Sequence, residues 1–285
     1  IRASVLRGIS DEFIAPIVIE QRMDEPVATV KDGDLVIFFN HKAEEMRQLV
    51  RSLAVPDPSS AKPRIESVCL TEYDASFGLP VAFGPQVEKN VLPAIFEYCG
   101  IRNYRITESS RSPHVSSYLN GSDDQMGSYE SRIILPGSGF QTLETEPESR
   151  SFKIADSAVS SLRSDRSGVF VINFPAADLV AGLGSLEKAV ESIQFVDTCL
   201  GGVVDAVREV NGTALITSSH PGCEQITRQS HSPNAVAGMD NPVPLHLIDP
   251  ADDRAALASG GSLEDVAPTI LGLLGLNIPA EMTGR

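Results

Sequence analysis

Val169-Phe-Val-Ile-Asn-Phe-Pro-Ala-Ala-Asp-Leu-Val180 is the stretch that decides the fold class. Its first half is a continuous apolar run, the pattern of a strand buried on both faces of a parallel sheet. Downstream, Ser185 to Val210 repeats apolar residues at helical spacing, with Ala189, Ile193, Val196, Leu200, Val203 and Val207 on one stripe. Asn211-Gly212 then turns the chain into a strand over 213–217, and a further strand covers 244–248. The last helix opens at Ser262-Leu-Glu-Asp265, a capping-box pattern, and stops at Gly275. Upstream, 87–99 reads as a helix closed by Gly100, and 103–107 as a short strand. Strands alternating with helices in this way imply an α/β fold with a mostly parallel sheet flanked by helices.

The first part of the chain carries a shorter version of the same alternation. Asp32-Gly33-Asp34 is a turn, and Leu35-Val-Ile-Phe-Phe39 reads as a fully buried strand. Met46, Leu49, Val50 and Leu53 place a helix over 43–53, which Pro56-Asp-Pro-Ser-Ser60 ends. A strand near 67–71 and a loop over 73–80 follow, and a domain boundary is expected there, giving domains 1–76 and 77–285. The polar stretch 109–124 reads as a loop.

Composition narrows the function classes. The 285 residues hold 23 Lys and Arg against 38 Asp and Glu, a formal net charge of −15. That balance argues against nucleic acid and anionic membrane surfaces, both of which attract Lys and Arg. No run of about 18 apolar residues occurs, so no transmembrane segment is expected. Cys69, Cys99, Cys199 and Cys223 form no metal-type pair and read as isolated thiols. Gly182-Leu-Gly184 lacks the third glycine of a dinucleotide fingerprint, since Glu187 stands there, and neither a phosphate-binding P-loop nor a serine-nucleophile elbow is present. Asn120 and Asn211 lie in sequons but read as Asn-Gly turns. What remains are polar residues just after strands, where α/β folds place ligands: Asp178, His220, and Asn241-Pro-Val-Pro244.

These segments resemble the cofactor-independent (2,3-bisphosphoglycerate-independent) phosphoglycerate mutases of the alkaline-phosphatase-like superfamily. The matched segments run in order: Ile9-Ser-Asp-Glu-Phe-Ile14, Asp32-Gly-Asp-Leu-Val-Ile-Phe-Phe-Asn40, Asn173-Phe174 with Asp178-Leu-Val180, Phe195-Val-Asp-Thr-Cys-Leu-Gly201, Asn241-Pro-Val-Pro244, Ala267-Pro-Thr-Ile-Leu271 and Glu281-Met-Thr-Gly284. The resemblance implies an alkaline-phosphatase-like sheet over 77–285 and the remnant of a transferase insert domain over 1–76. It also implies transfer of a phosphate between the 3- and 2-positions of glycerate through a phosphoserine, with two Mn²⁺ or similar ions.

Compared position by position, the implied site is altered. Asp178 and His220 stand at two metal-ligand positions, but Gly182, Ser219 and Gly238 replace a histidine, an aspartate and a histidine. At the substrate side, Lys42 and Glu45 stand where the family has phosphate-clamping arginines; Arg111 replaces a lysine, and His114 matches a histidine. The segment holding the serine nucleophile is absent from the match. From these changes the chain is expected to be a non-catalytic, cofactor-free structural subunit. Its expected partners are other proteins in a multi-subunit complex, or a segment supplying the N-terminal half. The alternative is a phosphoglycerate mutase or phosphatase with an altered metal site, for which His231 and His246 are candidate replacement ligands. A third reading is a sensor that binds a phosphorylated metabolite through Arg111 and Lys42. The Ile1 start suggests a processed or partial chain, and an organelle (mitochondrion or plastid) is the expected location, with the cytoplasm as the alternative.

Overall fold

In the computed structural model, the residues described are 4, 6–7, 14–59, 61–86, 88–137, 147–181, 185–223, 242–251 and 255–284. The chain divides into two compact units, Ile1–Pro85 and Gln86–Arg285.

The first unit begins with a small antiparallel pair, β1 (Glu20–Arg22) and β2 (Glu25–Pro26), turned by Asp24 at positive φ. Strand β3 (Leu35–Phe38) leads into helix α1 (Ala43–Leu53), and β4 (Glu66–Thr71) and β5 (Val81–Phe83) complete a parallel sheet in the order β3-β4-β5. Met46 and Val50 on α1 bury Phe38, Cys69, Tyr73 and Phe77 in one cluster. The Tyr73 hydroxyl donates to the Phe38 carbonyl at 2.8 Å, which ties the loop after β4 to the end of β3. The expectation that β3 is buried on both faces is corrected. Leu35 and Ile37 are each 63% exposed, because α1 covers only the face carrying Val36 and Phe38. β5 was not legible in the sequence; its pairing with β4 carries the first unit past residue 76.

The second unit opens with α2 (Leu92–Cys99), closed by Gly100 at φ 68 in the left-handed conformation that glycine adopts without a Cβ penalty. Strand β6 (Asn103–Glu108) follows, then a 3₁₀ turn (Ser109–Arg111), α3 (Ser112–Val115) and β7 (Glu130–Leu135). Helix α4 (Pro147–Ser164) leads to β8 (Val169–Ile172), and α5 (Ala176–Ala181) and α6 (Leu186–Glu209) come next. Strands β9 (Ala214–Thr217) and β10 (Leu245–Ile248) form an antiparallel pair, and α7 (Val266–Leu273) ends the unit. The Ser262–Asp265 capping box is present. Asn211 is at φ 57 and Gly121 at φ 66, as the two Asn-Gly turns require. Residues 109–115 are helical turns rather than loop.

The central sheet runs β7-β6-β8, all parallel. Ile106 on β6 packs with Ile154, Ala158 and Leu162 of α4 and with Cys199, Val203 and Val207 of α6. β6 is polar on its other face, where Asn103, Arg105 and Thr107 are all buried. Arg105 donates through Nε to Asn103 Oδ1 at 2.8 Å and through Nη1 to the Val115 carbonyl at 2.6 Å. Its Nη2 lies 3.6 Å from Glu130 Oε2, so the buried guanidinium faces a buried carboxylate.

At the other end of the sheet, Asp165 accepts from Tyr104 Oη at 2.7 Å, Arg102 Nη2 at 2.9 Å, and Ser167 N at 3.1 Å. Tyr104 stacks on its cross-strand neighbour Phe170 at 4.7 Å. A Cβ on Gly168 would stand 2.9 Å from the Tyr104 ring, so a larger residue there would force that ring to shift. The Tyr104 hydroxyl bond, helped by Ser167 and Arg102, holds the Asp165 carboxyl below its ordinary value of 3.8. A depressed folded value means that this stabilisation is complete above the unfolded pKa and is lost as pH falls through the folded one. Asp165→Asn is therefore expected to lower stability at neutral pH by about 1–2 kcal/mol. The gap to the parent chain should close as urea melts are repeated below pH 3.8.

β8 pairs, among the described residues, with β6 alone. Val169 N donates to Arg102 O and Asn173 N to Ile106 O, so the amides of Phe170 and Ile172 point to the opposite edge. An all-apolar edge strand without a charge or proline is a template for pairing.

Candidate functional site

β6 and β8 are parallel, so their C-terminal ends open on the same side of the sheet. Asn173 Nδ2 donates to Thr107 Oγ1 at 3.2 Å and holds the two ends together. Arg111 leaves the 3₁₀ turn after β6; Asp178 sits in the first turn of α5, after β8. Arg111 donates to one Asp178 oxygen through Nη2 at 2.6 Å and Nε at 3.0 Å, closing the gap between the strand ends. The pair is solvated, with Arg111 28% and Asp178 62% exposed. The segment after β9 reaches the same helix, where Cys223 Sγ contacts the Ala177 carbonyl at 3.5 Å and packs near Val180. In that segment Ser219 Oγ and His220 Nδ1 are 2.8 Å apart, which leaves the His220 Nε2 atom as the ring's outer face.

The other residues singled out by sequence are placed differently. His114 lies on α3 with its ring edge-on to Tyr118 at 5.3 Å. His246 is on β10 opposite Ile216 and is exposed. Lys42 caps α1 in the first unit, its amide donating to Asn40 Oδ1 at 2.9 Å; Glu45 is on the same helix, and its side chain is not described. Gly182 to Gly184, His231, Gly238, Asn241, Val87 and residues 9–13 lie outside the described residues. Sequence reasoning missed Glu108 and Arg150. Both are buried at this end of the sheet, with Arg150 Nη1 3.2 and 3.3 Å from the two Glu108 oxygens.

The family model described as "Metalloenzyme superfamily" matches residues 24–278. The chain belongs to the metalloenzyme superfamily. Among the relatives of this metalloenzyme chain is 2,3-bisphosphoglycerate-independent phosphoglycerate mutase 1 of Methanosarcina acetivorans, 36% identical over 98% of the chain and 55% of that protein. The mutase of Moorella thermoacetica is 37% identical over 100% of the chain and 56% of its own length. That of Desulforudis audaxviator is 38% identical over 98% and 55%. The chain thus spans about half the length of the curated relatives it matches. The solved structure of Leishmania mexicana phosphoglycerate mutase, obtained at low cobalt concentration, shares the fold, with a TM-score of 0.79 over 93% of this chain and 52% of that one at 23% identity.

Two expectations are corrected by these findings. The altered ligand and substrate positions and the absent nucleophile segment implied a non-catalytic chain, yet relatives named as mutases match the chain almost end to end. The expectation of no cofactor falls for the same reason, since the family is one of metalloenzymes. The donors in view do not by themselves fit a pair of ions. Asp178 is engaged by Arg111, His220 is the other surviving ligand residue described, and no group of three or more His, Cys, Asp or Glu able to hold a metal occurs among the described residues.

Proposed function

We propose that this chain forms part of a phosphoryl-transfer enzyme acting on phosphoglycerate, as a mutase or a phosphatase with an altered metal site. The observation that carries the reading is the identity of 36–38%, over 98–100% of the chain, to proteins named phosphoglycerate mutase. The geometry at the ends of β6 and β8 supports it. Arg111 presents a planar fork suited to a phosphate or carboxylate, and it exchanges Asp178 for that anion when substrate arrives. His220 offers Nε2 for proton transfer, its Nδ1 being held by Ser219.

The proposal includes a further segment, in the same polypeptide or in a partner protein, that supplies the serine nucleophile and pairs with the open edge of β8. An extended apolar segment running along β8 would take up the amides of Phe170 and Ile172. The deciding experiment is ³¹P NMR of 3-phosphoglycerate incubated with the full natural protein and Mn²⁺. Growth of a 2-phosphoglycerate signal supports a mutase, and growth of inorganic phosphate supports a phosphatase. An unchanged spectrum sinks the proposal.

A further inference from the structure

The buried Arg150–Glu108 pair has no role in the group that faces the substrate. Glu108, the last residue of β6, is 2% exposed, and Arg150, in the first turn of α4, is 7% exposed. Taking two charges out of water is costly, and such a pair at best breaks even with apolar residues of the same size. Stability alone therefore does not account for it. Its geometry does. Besides Arg150, Glu108 Oε1 accepts from the Ser110 hydroxyl, and the neighbouring Ser109 Oγ accepts from Gly137 N at 2.9 Å. The two residues that precede Arg111 are thus each fixed by their side chains, one to the end of β6 and one to the strand exit of β7. An apolar pair could hold α4 against β6, but it would leave the Ser110 hydroxyl without the acceptor that Glu108 supplies. Without Arg150, that carboxylate would sit uncompensated beside an anion-binding side chain and repel the anion.

We infer that Arg150 and Glu108 are positioning residues for Arg111: the guanidinium neutralises and orients the Glu108 carboxylate, which fixes Ser110 and so aims the Arg111 fork. The inference rests on the proposed role of Arg111 as the anion-binding side chain. Its test reads Arg111 directly and does not depend on turnover. In the full chain labelled with ¹⁵N-arginine, the Arg111 Nε–H resonance is followed by NMR, with assignment by Arg111→Lys. Arg150→Met is expected to shift that resonance and speed its exchange with water at least about fivefold, while the Ile106 methyl signals hold their positions. Arg150→Lys, which restores the charge without the fork, should recover part of the protection. Glu108→Met, which removes the acceptor of the Ser110 hydroxyl, provides a second variant should Arg150→Met not fold, and it should loosen Arg111 in the same direction. Titration with inorganic phosphate should then need several-fold more ligand in the loosened variants. An Arg111 Nε–H signal unchanged in position and exchange in the folded variants overturns the inference.

Discussion

Arg105→Ala is expected to lower the unfolding free energy of the second unit by about 3 kcal/mol or more, the cost of stripping one partner from a buried ion pair. Arg105 is fully buried, with Glu130 3% exposed beside it. Removing the guanidinium leaves Glu130 with Arg132 Nε at 2.5 Å as its remaining cation, which keeps the loss near the lower end of the range. It also releases the Val115 carbonyl and the Asn103 side chain, each of which Arg105 satisfies. Arg105→Met restores the stem volume and should recover part of the packing but none of the pairing. Urea titration followed by far-UV circular dichroism gives the measurement. A loss under about 1 kcal/mol for the alanine variant would show that Arg105 is not a keystone of this unit.

Arg111→Ala should behave in the opposite way. Its ion pair with Asp178 is solvated, so stability should change by no more than about 1 kcal/mol. If Arg111 holds the transferring group, turnover should fall roughly 100- to 1,000-fold, as when one preorganised donor to developing charge is removed. Arg111→Lys should lie between, because a point charge replaces a bidentate fork. The ³¹P assay, run at equal occupancy of substrate, separates the two outcomes. Parent-like turnover in Arg111→Ala would remove Arg111 from the site.

The elements that were legible share one property: their signals are local. Helix α1 could be bounded to the residue because Met46 and Val50 repeat at helical spacing. Gly100 and the Ser262–Asp265 box announced their helix ends in the same way. Helix α4 was missed because Ser149, Ser151, Ser157, Ser160, Ser161 and Ser164 lower its helical tendency, and small Ala155 and Ala158 carry much of its buried stripe. Strand β7 was missed because Glu130, Ser131 and Arg132 fill its first half. Within the site, Asp178 could be named from its place after a strand, whereas Arg111 was named only by the family resemblance. The Glu108–Arg150 pair joins residues 42 apart across a helix that the sequence did not reveal. The exposed face of β3 was misread for a related reason: an apolar run states that a strand is apolar, not how many of its faces another element covers.

The edge of β8 that no described strand pairs has a thermodynamic consequence. A segment that binds the folded sheet and not the unfolded chain stabilises it by mass action, by about 2.7 kcal/mol when present at a hundred times its dissociation constant. Where the proposed segment belongs to a partner protein, the melting midpoint should climb with that partner's concentration, and two preparations of identical sequence should melt apart when they differ in that one component.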